Sequence, residues 1–286
     1  MFELIDLTKR LNADSLAYPG NEPVLRIDRV DVGDPTCRVS RLAHLDLHGG
    51  THIDAPLHFV SGGTDVASLS IRLLPLVLVA THSRRIGPEE IPVDVAGCAV
   101  LLSTGWERHR ETPRFFSGYP HLTPAAAHAL VGGGAALVGL DTPSADPMVE
   151  PHEFPVHKIL LGAGIPIVEA LCNLSSLRRA DGAIWFGCFP VPIEGVEASP
   201  IRAVAFTVHD AEPQHRASSP GPSGRGQAKR RSGSDAVSIE NRGRGQKPPW
   251  RLALVRCRVR LGRIWALYVA GVVCGRSHRL LPGDTV

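Results

Sequence analysis

The sequence contains no Cys-x-x-Cys pair: its six cysteines, Cys37, Cys98, Cys172, Cys188, Cys257 and Cys274, are scattered along 286 residues. That spacing indicates neither a zinc ribbon nor a disulfide framework and fits a reducing, cytoplasmic setting. A secretory leader is not expected either, because Glu3 and Asp6 lie among the first apolar residues, where a leader carries a basic segment and then an apolar one. The most apolar stretch, Ile264–Gly275, has 12 residues, against the roughly 20 that a membrane helix needs. The expectation is a protein neither exported nor membrane-spanning. No Gly-x-Ser-x-Gly elbow is present, which argues against a serine nucleophile on an α/β-hydrolase sheet. Gly132–Gly134 and Gly162–Gly164 lack the Lys-Ser/Thr of a phosphate loop and the third glycine of a dinucleotide fingerprint, so both are read as helix stops.

What is present divides unevenly. With 43% hydrophobic and 21% charged residues the chain can bury a sizeable core. Residues 211–286, however, hold 15 of the 31 lysines and arginines and only 4 of the 28 acids. A net-acidic body, 1–210, is therefore followed by a strongly basic tail. The tail is poor in apolar residues as far as Pro249 and is expected to be largely disordered. It has no aromatic-basic RNA motif, so a nucleic-acid partner is not expected.

In the body, short apolar runs bounded by glycine and proline predict buried strands at Leu76–Ala80, Ala99–Leu102, Ala136–Leu140 and Ile165–Val168. Further strands are predicted at Leu42–Leu47, Ala183–Phe186 and Ile201–Val208. Thr123 followed by Pro124 predicts a helix start, and a second helix is expected over Val156–Leu161. The pattern is that of a single mixed α/β domain.

One segment concentrates the chemistry. His48-Gly49-Gly50-Thr51-His52-Ile53-Asp54-Ala55-Pro56-Leu57-His58 places three histidines and an aspartate within 11 residues, imidazole and carboxylate donors suited to zinc or a similar divalent ion. The glycines and Pro56 argue against a helix. If the segment is largely extended, positions 48, 52, 54 and 58 share parity and project to one side.

This block resembles the signature H-x-G-T-H-x-D-x-P-x-H of the bacterial kynurenine formamidase/cyclase family, which includes isatin hydrolase. The resemblance runs to about Phe206. It takes in Tyr18-Pro19-Gly20, Leu101-Leu102-Ser103-Thr104-Gly105-Trp106, Gly139-Leu140-Asp141-Thr142-Pro143-Ser144, Pro155-Val156-His157-Lys158, Ile167-Val168-Glu169 and Pro192-Ile193-Glu194-Gly195. It implies a domain of the swivelling β/β/α type, a homodimer or larger assembly, and a centre of two divalent ions, zinc or else manganese. On that likeness His48, His52 and Asp54 hold one ion, Asp54, His157 and Glu169 the other, and Glu169 touches both. His58 is implied as the catalytic proton carrier, a task suited to an imidazole. The implied reaction is hydrolysis of a small aryl amide, N-formyl-L-kynurenine foremost, in the tryptophan-catabolic kynurenine pathway. Where such formamidases commonly have Trp before the Pro-Gly, this chain has Tyr18, a ring that can still stack on an aromatic substrate. Isatin or another cyclic or aryl amide is the alternative substrate, and a non-catalytic metal- or ligand-binding family member with a nucleic-acid-binding tail is the alternative function. The Asp141–Pro147 segment could line the site or be ordinary turn chemistry, and Glu194 could support the site or be a loop acid.

Overall fold

The computed structural model describes residues 2–149, 153–179 and 183–208. The expected disorder of the tail, 211–286, and its apolar run fall outside these residues. Among the described residues no helix is long and apolar enough to cross a membrane.

The elements in chain order are strands β1 (Phe2–Asp6), β2 (Leu25–Val30), β3 (Val39–Leu45), β4 (His52–Asp54), β5 (Leu74–Ala80), β6 (Arg85–Ile86), β7 (Ala99–Ser103) and β8 (His121–Leu122), helix α1 (Pro124–Gly132), strand β9 (Leu137–Leu140), helix α2 (Pro155–Gly162), and strands β10 (Ile167–Glu169), β11 (Ala183–Pro190) and β12 (Ala198–Val208). The helix signals act locally as their chemistry dictates. Thr123 is extended and its hydroxyl accepts the N–H of Ala126, Pro124 occupies the first turn, and Gly134 at φ 73° carries the chain out of the helix. The mixed α/β expectation holds.

The main sheet closes on itself, which the local patterns did not foretell. From β12 the order runs β11, β5, β7, β9, β10 and β4, and β4 pairs again with β12, while β1 lies along the far part of β12. β12 can serve three neighbours because it is 11 residues long: Ala198–Pro200 pair with β4, and Ile201–Val208 pair with β11. Within the parallel run β5–β7–β9–β10, β7 and β9 are buried along their whole length and read as continuous apolar runs, while β5 is only partly buried.

Alternation along β7 separates two cores. Val100 and Leu102 face α1 and α2, among Ala126, Leu130, Val156 and Leu160. Ala99 and Leu101 face the interior of the ring, with Ile53, Val168, Phe186, Ala203 and Ala205. β2 and β3 form a separate two-stranded sheet, mostly exposed, that leads directly into the His48 segment.

The extended reading of residues 48–58 needs correction. Only His52–Asp54 is strand; residues 47–51 turn, and Pro56–His58 form a 3-10 turn. Two-residue parity therefore explains the shared direction of His52 and Asp54, not that of His48 and His58. The glycines and Pro56 bend the chain at both ends, which brings the outer histidines back over the strand by another route.

Candidate metal centre and substrate cavity

The register of β4 and β10 builds the floor of the site. Glu169 lies opposite His52 and Ile167 opposite Asp54 in an antiparallel pair, so His52, Asp54 and Glu169 occupy one face within a few ångströms. His52 Nε2 is 3.4 Å from Asp54 Oδ1 and 3.5 Å from Glu169 Oε2. From α2, His157 Nε2 reaches to 3.2 Å of Glu169 Oε1 and 3.6 Å of Asp54 Oδ2. His48 Nδ1 stands 3.0 Å from Asp54 Oδ1. All five proposed ligands thus converge, with Asp54 in the middle. His58 lies beside them, its ring 4.6 Å from that of His48 and 6.0 Å from that of His157.

Buried polar atoms need partners, and three here lack them. His52 Nε2 and both carboxylate oxygens of Asp54 make no hydrogen bond, although His52 and Asp54 are almost fully buried. Leaving such groups unsatisfied costs on the order of 1–3 kcal/mol each, more for a charge. The donor set, imidazoles and carboxylates only, is that of a zinc- or manganese-type divalent ion. Two sets of side chains bring potential ligand atoms close enough to share an ion, His52–Asp54–Glu169 and His48–Asp54–His58. The residues fit a divalent cation.

Each of three histidines has an outer acceptor that turns one ring nitrogen toward the carboxylates. His52 Nδ1 is 2.9 Å from the Gly50 carbonyl, His157 Nδ1 is 2.7 Å from Asp146 Oδ2, and His48 Nε2 is 3.4 Å from Glu197 Oε1. The His58 side chain makes no hydrogen bond among the described residues; its neighbours are rings, His48 and Phe59. Metal-ligating histidines almost always have such an outer partner. The contrast sets His58 apart from the other three.

The electrostatics follow from this packing. Burial works to raise the Asp54 pKa, but His52, His157 and His48 around the carboxylate outweigh it and hold it well below the usual range. Burial pulls the other way on His48, where Asp54 with Glu169 and Glu197 wins and lifts the imidazole to about 9. His157 is likewise raised against its burial, by Asp146, Asp54 and Glu169. His58 goes down: burial, with His48 and His157 nearby, favours its neutral form.

Above the floor lies a cavity of about 340 Å³, within the range of small-molecule sites. Its wall is apolar and aromatic, with Tyr18, Phe59, Phe116, Met148 and Phe154. Tyr18 lines this cavity and packs edge-on against Phe116 at 5.2 Å. Phe154 has φ 49°, a conformation that bulky residues seldom adopt, and this turn into α2 carries its ring to the cavity.

The sequence reading missed Asp146 as a supporting residue. The Asp141–Pro147 segment does line the cavity through Pro143 and Ser144, and Asp141 accepts the N–H groups of Thr104 and Gly105, tying the ends of β7 and β9 together. Glu194 is an exposed loop acid; the acid that reaches the site is Glu197, three residues on.

With the geometry in place, the likenesses to known proteins become informative. A family model described as putative cyclase matches residues 5–147. The kynurenine formamidase of Geobacillus thermodenitrificans (strain NG80-2) is 30% identical over 207 residues, covering 70% of this chain and 95% of the relative. That of Bacillus cereus (strain ATCC 10987 / NRS 248) is 31% identical over 208 residues, 71% of this chain and 96% of its own. Among solved structures, isatin hydrolase A from Ralstonia solanacearum shares the fold, with a TM-score of 0.63 at 23% identity over 72% of this chain and 92% of that one.

These likenesses and the site together define an enzyme of the arylformamidase-like hydrolase class. The chain belongs to the putative cyclase family, that of the bacterial kynurenine formamidases.

Proposed function

We propose that this enzyme hydrolyses a small aryl amide, most specifically N-formyl-L-kynurenine to L-kynurenine and formate, with two divalent ions as cofactor. The observation that carries the reading is the set of orphaned polar atoms, His52 Nε2 and the Asp54 carboxylate, buried under an aromatic-walled cavity. His48, His52 and Asp54 would hold one ion and Asp54, His157 and Glu169 the other, zinc or else manganese. A divalent ion so held supplies Lewis acidity, making water a nucleophile near neutral pH and polarising an amide carbonyl.

The chain's own residues supply the rest. Tyr18, Phe59, Phe116 and Phe154 offer ring faces and edges to an aryl group and exclude water from it. Such stacking would present the amide to the floor. The His58 imidazole, free of hydrogen bonds and favoured in its neutral form, can take a proton from water and return it to the departing nitrogen. Balanced, the step adds the elements of water across the bond: the carbonyl carbon gains oxygen, the C–N bond breaks, and the aniline nitrogen gains the proton.

The test is the disappearance of N-formylkynurenine with purified protein, metal-replete and then chelated. Chelator-sensitive turnover is expected. No turnover by replete protein would remove this substrate and turn the search to other aryl or cyclic amides, isatin among them.

A further inference from the structure

Asp146 is a buried carboxylate that the likeness to the family does not use. It is 1% exposed, and its partners leave it no freedom. Oδ1 accepts the N–H of Val156 at 3.0 Å. Oδ2 accepts the N–H of His157 at 2.9 Å and lies 2.7 Å from His157 Nδ1. On the main chain, the Asp146 carbonyl accepts the Tyr119 hydroxyl at 3.0 Å. The carboxylate thus takes the place of a cap for α2, whose residue before the first turn, Phe154, offers no side-chain acceptor.

The same carboxylate decides which nitrogen of His157 carries the proton. An ionised carboxylate only accepts, so the short contact requires Nδ1–H, and the lone pair of a neutral ring is then on Nε2. Nε2 is aimed at Glu169 Oε1, 3.2 Å away, and Asp54 Oδ2, 3.6 Å away. Three lone-pair donors facing one another is an arrangement that a cation satisfies. Because Asp146 is held by main-chain groups of α2 itself, the ring and its orientation are fixed before any ion arrives.

We propose that Asp146 is a positioning residue that fixes the Nδ1–H tautomer of His157 and so sets the affinity of the centre for its metal. The proposal rests on the reading of the floor as a metal centre. Glu197 supplies the internal comparison: it faces His48 in the same way, but at 3.4 Å and half exposed, where solvent screens the contact.

The experiment uses the full chain stripped by a chelator and titrated with zinc in competition with a chromophoric chelator. Asp146→Asn should weaken zinc binding by about 10- to 100-fold, whereas Glu197→Gln should change it by no more than about threefold. Zinc affinity is measured below the unfolding temperature of each zinc-free protein. A capping role alone would lower that temperature and leave affinity unchanged, which would overturn the proposal. A second readout needs no variant: nitrogen-15 NMR of zinc-loaded wild-type protein should show His157 with a slowly exchanging Nδ1–H. Finding the proton on Nε2 instead would overturn it as surely. Failure of the wild-type protein to bind zinc or manganese would overturn the metal-centre reading itself and the proposal with it, an outcome distinct from equal binding by wild type and Asp146→Asn.

Discussion

His52, Asp54 and Glu169 sit on two strands whose main chains are paired residue by residue, and they are buried. Tyr18, Phe116 and Phe154, across the same cavity, sit on a loop, a 3-10 turn and the entry to α2, and all three are partly exposed. The floor is therefore scaffolded by the closed sheet, with its geometry fixed by register, while the wall hangs on connections that can change without disturbing a strand. The difference teaches where each property of the enzyme resides. On the proposed function, chemistry belongs to the floor and substrate choice to the wall.

That division can be broken or sharpened by substitution. The largest effect is expected from Asp54→Asn, which takes the charge from the centre of the floor: bound metal should be lost and turnover should fall on the order of 10⁴-fold or more, read by elemental analysis and rate. His58→Ala should lower turnover by about 10²- to 10⁴-fold, the contribution of a positioned acid and base. Gly49→Ala attacks the turn below the floor, where an added Cβ would run into Val24 Cγ1 and lie 2.9 Å from the Asp46 carbonyl oxygen. A loss of about 1–3 kcal/mol in unfolding free energy is expected, measured by denaturant titration.

On the wall the effects should be smaller and of another kind. Tyr18→Ala should raise KM about tenfold with kcat little changed, because it removes binding area and not a group that acts on the bond. Tyr18→Phe keeps the ring and should alter kcat/KM by no more than about threefold. A large fall in kcat from either Tyr18 variant would show that the wall takes part in the chemistry.

The sequence made some of this legible and hid the rest for physical reasons. The inner strands could be read because burial on both faces leaves an apolar signature, as at Ala99–Leu102, and α1 could be read because Thr123, Pro124 and the glycines act through their nearest neighbours. Closure of the ring could not, because it depends on Ala198–Pro200 meeting His52–Asp54 across more than 140 residues, a pairing with no periodic mark. At the site, the types of residue were plain but their path was not: parity accounts for His52 and Asp54, whereas a turn and a 3-10 turn deliver His48 and His58. Asp146 stood in a run, Asp-Thr-Pro-Ser-Ala-Asp-Pro, whose composition also suits a turn, and its role appears only when α2 is laid against it. Glu197 carried no local signal that set it apart from Glu194.

The claim on which the account turns is that the floor contains two kinds of histidine, those held by an outer acceptor to bind metal and one left free to move a proton. The direct test is the metal content of His58→Ala, determined by elemental analysis after the same zinc loading as wild-type protein, alongside its turnover of N-formylkynurenine. The account predicts undiminished metal with turnover collapsed. Metal lost in step with turnover would contradict it and make His58 a ligand with His48 and Asp54.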